Sequence, residues 1–151
     1  MAQQTGRILA LDWGKRRIGV AVSDELRLTA QGLPTIEHQN KHGTMEALSR
    51  IVEQYQARLV VVGNPVHMSG AEGRGSQQAT QFARTLARQT GVEIRMWDER
   101  LTTREAQRVL RETGAGRGNR AAVDRLAAVL ILQSYLDYLA AGAEQENSRA
   151  T

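Results

Sequence analysis

Carboxylates stand at three places in this sequence where they could act together. Asp12 closes the apolar run Ile8-Leu9-Ala10-Leu11, and the cations Lys15, Arg16 and Arg17 follow it almost at once. Asp98 and Glu99 follow "GVEIRMW", and Asp124 lies in "RAAVDRLAAVLILQSYLD". The chain has no cysteine and three scattered histidines, so this donor set suits a hard, oxygen-seeking cation such as magnesium or manganese. Two such ions roughly 3.5–4 Å apart activate a water and stabilise the departing oxygen of an in-line displacement, the chemistry of phosphodiester hydrolysis. Cations beside Asp12 would then meet the phosphate, with Lys15 or Arg16 steadying it. Asp137 lies about 20 Å beyond Asp124 along a helix axis and cannot share a compact site with it. His38 and His42 have the spacing of a helical metal pair, but Asn40 and Gly43 argue against a helix there and no third ligand is near, so no zinc site is expected.

The elements that must position these groups follow from the apolar pattern. Arg7 to Trp13 reads as a strand buried on both faces, and Ile18, Val20 and Val22 alternate as a second strand. The short turn between them makes an antiparallel hairpin, which puts Asp24 at the edge opposite Asp12. A third strand within Leu28 to Ile36 is interrupted by Gly32 and Pro34. Helical spacing covers Thr44 to Gln56 and Ser76 to Thr90, with buried strands at Leu59 to Val62 and in "GVEIRMW". Strands alternating with helices of this length imply crossover connections and a largely parallel sheet. If those two strands run parallel to the first, Asp12, Gly63, Asn64, Asp98 and Glu99 share the carboxyl edge, where open sheets bind ligands.

The last third reads as helical. Thr102 and Glu105 fit a capping box, a helix to about Glu112 follows, and "TGAGRGN" breaks the pattern before a helix from Arg120 to Ala140. Residues 1–140 are expected to form one domain, and 141–151 a polar tail that frays. At 151 residues the chain should bury roughly two thirds of the surface its unfolded form exposes.

The net charge is +4, the isoelectric point is about 10.1, and arginine supplies 18 of the 20 cations. Guanidinium forks match phosphate oxygens, so nucleic acid is the expected partner. Arg100, Arg104, Arg108 and Arg111 recur at helical spacing, and "GAGRGNR", with Arg117 and Arg120, lies beside Asp124. The loop "VHMSGAEGRGS", with Arg74, lets backbone amides approach a phosphate. Such contacts give affinity without sequence specificity. Six aromatic residues leave little for extensive base stacking. No apolar run approaches a membrane span, and "MAQQTGR" lacks the apolar segment of a secretory signal, so a cytoplasmic location without membrane association is expected.

"LALDWGKRRIGVAVSD", "VVVGNP", "WDERLTTREA" and "DRLAAVLILQSYLD", in this order, resemble the YqgF family, also called RuvX, of Holliday junction resolvases and pre-16S ribosomal RNA nucleases. The resemblance spans Ile8 to about Asp137. It implies a ribonuclease H-like α/β fold, a five-stranded mixed sheet with helices on both faces. It also implies that Asp12 is the first-strand metal aspartate, Glu99 with Asp98 the acidic pair after the last strand, and Asp124 the aspartate of the final helix. Asn64 departs from the leucine of the family's Gly-Leu-Pro motif, a change in a loop that would touch substrate. The implied function is metal-dependent cleavage of nucleic acid, with maturation of the 5′ end of precursor 16S ribosomal RNA as the first reading. Resolution of four-way DNA and non-catalytic RNA binding in ribosome assembly are the alternatives, for a monomer or a homodimer. A nucleotide clamp of the actin-like kind also begins with Asp-x-Gly after a strand, but needs two such domains.

Overall fold

The run at Ile8 to Leu11 forms the centre of a sheet, and its residues are at most 1% exposed. The computed structural model describes residues 5–64, 74–98 and 120–150. Its strands are β1 (Ile8–Trp13), β2 (Arg17–Ser23), β3 (Ala30–Glu37), β4 (Leu59–Asn64) and β5 (Glu93–Asp98). The helices among the described residues are α1 (Lys41–Gln54), α2 (Arg74–Thr90) and α3 (Arg120–Ala150). The sheet order is β3-β2-β1-β4-β5, with β2 antiparallel to both β1 and β3, and β4 parallel to β1 and β5.

Strand alternation divides the core into two layers. Leu9, Leu11, Val20, Val60 and Val62 pack with Met45, Leu48, Phe82 and Leu86 beneath α1 and α2. Ile8, Ala10, Ala21 and Val61 pack with Ala128, Ile131, Leu132 and Tyr135 of α3 on the other face. Every strand residue therefore has a side, and neighbours in sequence have opposite ones.

The structure differs most from the sequence reading at three boundaries. β3 runs unbroken through Gly32 and Pro34, because it is an edge strand in which a missing amide hydrogen bond is tolerated. A register shift in its pairing with β2, between Ile18 and Val20, absorbs the irregularity. α1 starts at Lys41, three residues earlier than the pattern indicates, because Asn40 does not oppose the helix but caps it: its side chain accepts the Gly43 amide at 2.7 Å. α3 continues ten residues past Ala140 to Ala150, through a stretch where the alanines, glutamates and Gln145 favour helix against Gly142, Asn147 and Ser148. The helix expected after Thr102 lies outside the described residues.

Candidate active site at the carboxyl edge of the sheet

Register builds the site from the strands outward. Asp12 lies opposite Gly19 of β2 and Gly63 of β4, and Gly63 in turn pairs with Trp97 of β5. Asn64 pairs with Asp98 one step further toward the edge. Asp12, Asn64 and Asp98 are thus gathered at one end of three parallel strands, as the sequence reading expected. Asp24 lies at the other end, where its Oδ1 accepts the amides of Leu28 and Thr29 at 2.7 and 2.9 Å. The Thr29 amide above all holds that carboxyl below its usual range, which is the work of a turn-former.

Alternation sorts the carboxylates by face. Asp12 shares the side of Ile8 and Ala10, and so faces α3. Asp98 follows Trp97, which packs in the α3 layer, and so belongs with Ile94 and Met96 on the α1–α2 side. Asp98 is therefore at the same edge as Asp12 but across the sheet from it. Glu99, Arg100 and Arg117 lie outside the described residues, as does His67. Arg74 and Arg120 open α2 and α3 respectively.

The Asp124 backbone is brought against Gly19, the β2 partner of Asp12, by a close approach of helix to strand. A Cβ on Gly19 would run into the backbone carbonyl of Asp124, 2.6 Å from its carbon, so glycine at the position facing Asp12 is what lets α3 lie against β2 there. The first turn of α3 is tied down by the Thr35 hydroxyl, which donates to the Ala121 carbonyl at 2.7 Å. Further along, the Trp97 indole donates to the Ser134 hydroxyl at 3.2 Å, and its ring meets Tyr135 edge-on at 5.2 Å. These contacts fix β5 and α3 relative to each other, and with them the carboxylates each carries.

Arg17 has a different partner from the phosphate expected of it. Its Nε donates to Asp124 Oδ2 at 2.9 Å, and the two side chains are 22% and 27% exposed. A charge-assisted bond of this kind orients Asp124 toward the β1–β2 edge. Lys15 and Arg16 remain exposed in the turn between the two strands. Lys15 also lines a cavity with Trp13 and His38 on the α1–α2 side.

Two carboxylates on one face, beside glycines that crowd neither, are a donor set that fits a hard cation. Among the described residues no group of three or more His, Cys, Asp and Glu side chains is close enough to hold a metal by itself. Sequence reasoning missed Gly19 and the role of Arg17. A glycine within an alternating strand is the signal that marks the first; nothing local marks the second.

Comparisons with known proteins bear on the family and the fold. The family model described as "RuvX: Holliday junction resolvase" matches residues 6–138. A relative from Koribacter versatilis, named "Putative pre-16S rRNA nuclease", is 50% identical over 133 residues, covering 87% of each chain. One of the same name from Agathobacter rectalis is 46% identical over 137 residues, 88% of this chain and 96% of the relative. Among solved structures, Thermus thermophilus RuvC in complex with a Holliday junction substrate superposes with a TM-score of 0.59 at 17% identity, covering 90% of this chain and 96% of that one. The yeast mitochondrial Holliday junction resolvase Ydc2 also gives 0.59, at 10% identity, over 93% and 81%. At such identities the likeness is one of fold, the ribonuclease H-like arrangement.

Proposed function

The chain belongs to the RuvX family, and on that premise we propose that it is a metal-dependent nuclease that matures the 5′ end of precursor 16S ribosomal RNA. The observation that carries this reading is the seating of Asp124 against Gly19, directly opposite Asp12, at the carboxyl edge of the sheet. The curated relatives, which match nearly end to end, support the RNA substrate. In this reading Asp12 and Asp124 hold the metal, and the α3-facing position after Trp97 adds a third carboxylate. Alternation gives Asp98 to the other face, which leaves Glu99 as the member of the acidic pair for this role. Magnesium or manganese, when bound, supplies the Lewis acidity that activates water and offsets charge on the departing oxygen.

The chain's own residues bring the phosphate there. Lys15 or Arg16, in the turn beside Asp12, holds the scissile phosphate, while Arg17 orients Asp124. Arg74, Arg100, Arg117, Arg120 and Asn64 grip the flanking backbone without reading sequence. The protein works in the cytoplasm; among the described residues no helix is long and apolar enough to cross a membrane.

The test is cleavage of an end-labelled precursor carrying its 5′ extension, with magnesium or manganese, by the unsubstituted protein and by Asp12→Asn. Trimming by the first and not the second is the expected outcome. Equal cutting by both would remove Asp12 from the mechanism. Cleavage of a four-way DNA junction but not the RNA would favour the second reading, which the family's description supports.

A further inference from the structure

The sheet edge has a second side, and it carries a cavity that the carboxylate chemistry does not use. Asp12 faces α3, but the next residue, Trp13, faces α1 and α2, where it lines a cavity of about 480 Å³. That volume lies in the range of small-ligand sites, roughly 300–1,000 Å³. Phe82 packs on Trp13 with ring centroids 4.2 Å apart and planes tilted by 37°, and His38 meets the indole edge-on at 4.7 Å while its Nε2 contacts the Gly14 carbonyl at 2.7 Å. The floor is thus aromatic and held by packing: the Trp13 indole N–H finds no acceptor among the described residues.

The rim is cationic, by an unusual choice of residue. The sequence has two lysines among its 20 cations, Lys15 and Lys41, and both line this cavity. Among the described residues no carboxylate lines it, while Gln78 and Gln81 offer amides. Lys41 opens α1, whose first turn has no acidic residue, so the positive end of the helix adds to the field. Aromatic rings beneath, amides at the side and two ammonium groups above match a base with its phosphate. A metal would find no carboxylate among the described lining residues, and an apolar ligand would leave both ammonium groups without a counter-charge.

We propose that this cavity binds an unpaired nucleotide of the strand held at the carboxylate edge, its base against Trp13 and Phe82 and its phosphate on Lys15 and Lys41. Lys15 lies in the turn three residues after Asp12, so a strand passing Asp12 rounds the sheet edge along that turn into the cavity. The inference rests on the nuclease reading for the strand's path, and on the cavity's own chemistry for its occupant.

Trp97→Phe leaves Trp13 as the only tryptophan, so its emission reports on the cavity. Titration with adenosine monophosphate and with a single-stranded hexaribonucleotide should quench it saturably, the hexamer binding at least tenfold tighter. Lys41→Ala should weaken both by about tenfold, and Asp12→Asn should leave the monophosphate titration unchanged. Fluorescence of a 2-aminopurine ribonucleotide with the unsubstituted chain reads the same event should Trp97→Phe fail to fold. Absence of saturable change by either probe, or a Lys41→Ala protein that binds like its parent, overturns the site. A monophosphate that binds as tightly as the hexamer overturns the strand as its source. Precursor cleavage without these signals refutes this inference alone; these signals without cleavage refute the nuclease reading alone.

Discussion

Arg17 shows how far a single residue's role was legible. Its place in a cationic turn beside Asp12 pointed to phosphate, but its guanidinium is bonded to Asp124, 107 residues away. No local pattern carries a contact at that separation, whereas the position of Asp12 was legible because a buried strand ends there. The pair has a measurable consequence. A charge-assisted hydrogen bond contributes about 1.5–3 kcal/mol when well shielded, and partial exposure to solvent reduces this to about 1 kcal/mol here. A double-mutant cycle on Arg17→Ala and Asp124→Asn, read by urea denaturation in chelator, should therefore give a coupling of about 1 kcal/mol. The same cycle at saturating magnesium should give a smaller value, since a carboxylate shared with a cation depends less on Arg17. A coupling indifferent to magnesium would make Asp124 a structural partner of Arg17 and remove it from the metal site.

At the scale of elements, the decisive feature is how closely α3 approaches β2. The strands of the central sheet were legible from apolar runs and alternation, since both report burial directly. β3 and the start of α1 were misjudged because proline, glycine and asparagine act differently at an edge and at a cap from the way they act inside an element. The length of α3 was misjudged because a polar helical stretch carries no apolar stripe to follow. Seating of α3 depends on two glycines that differ in what a methyl would meet. At Gly19 it would strike the Asp124 backbone, and at Gly32 the Cγ and Cδ of Arg125, a side chain that can swing aside. Gly19→Ala should therefore destabilise the fold by about 1–3 kcal/mol, the usual cost of overpacking, and lift the first turns of α3 from the sheet. Gly32→Ala should cost less than half as much. Thermal unfolding ranks the two, and faster amide exchange in residues 121–128 of Gly19→Ala locates the displacement. Equal stabilities for the two variants would deny that Gly19 sets the approach of α3.

For the whole molecule, the sheet separates two sites at one edge, the Asp12 and Asp124 carboxylates toward α3 and the cavity of Lys15 and Lys41 toward α1 and α2, within a chain of net charge +4. The overall excess of positive charge was legible from composition. The gathering of both lysines at one cavity was not, because Trp13, Lys41 and Phe82 meet only after the strands and helices have assembled. This division separates two quantities that are usually measured as one. Attraction of a polyanion counts the cations that replace its condensed counterions, so the logarithm of affinity falls with the logarithm of salt by about 0.7 per phosphate neutralised on a single strand. The carboxylates add a local repulsion that releases no counterion from the nucleic acid. In chelator, Asp12→Asn should therefore tighten binding of single-stranded RNA while leaving the salt slope unchanged. The Lys15→Ala, Lys41→Ala pair should do the reverse, weakening binding and reducing the slope by between one and two. Fluorescence anisotropy from 50 to 200 mM salt, the span over which such contacts lose most of their strength, measures both. If affinity proves independent of salt, a phosphate backbone is not what the cations meet. If Asp12→Asn weakens binding in chelator, its carboxylate contacts the strand as a hydrogen-bond acceptor rather than waiting for a cation.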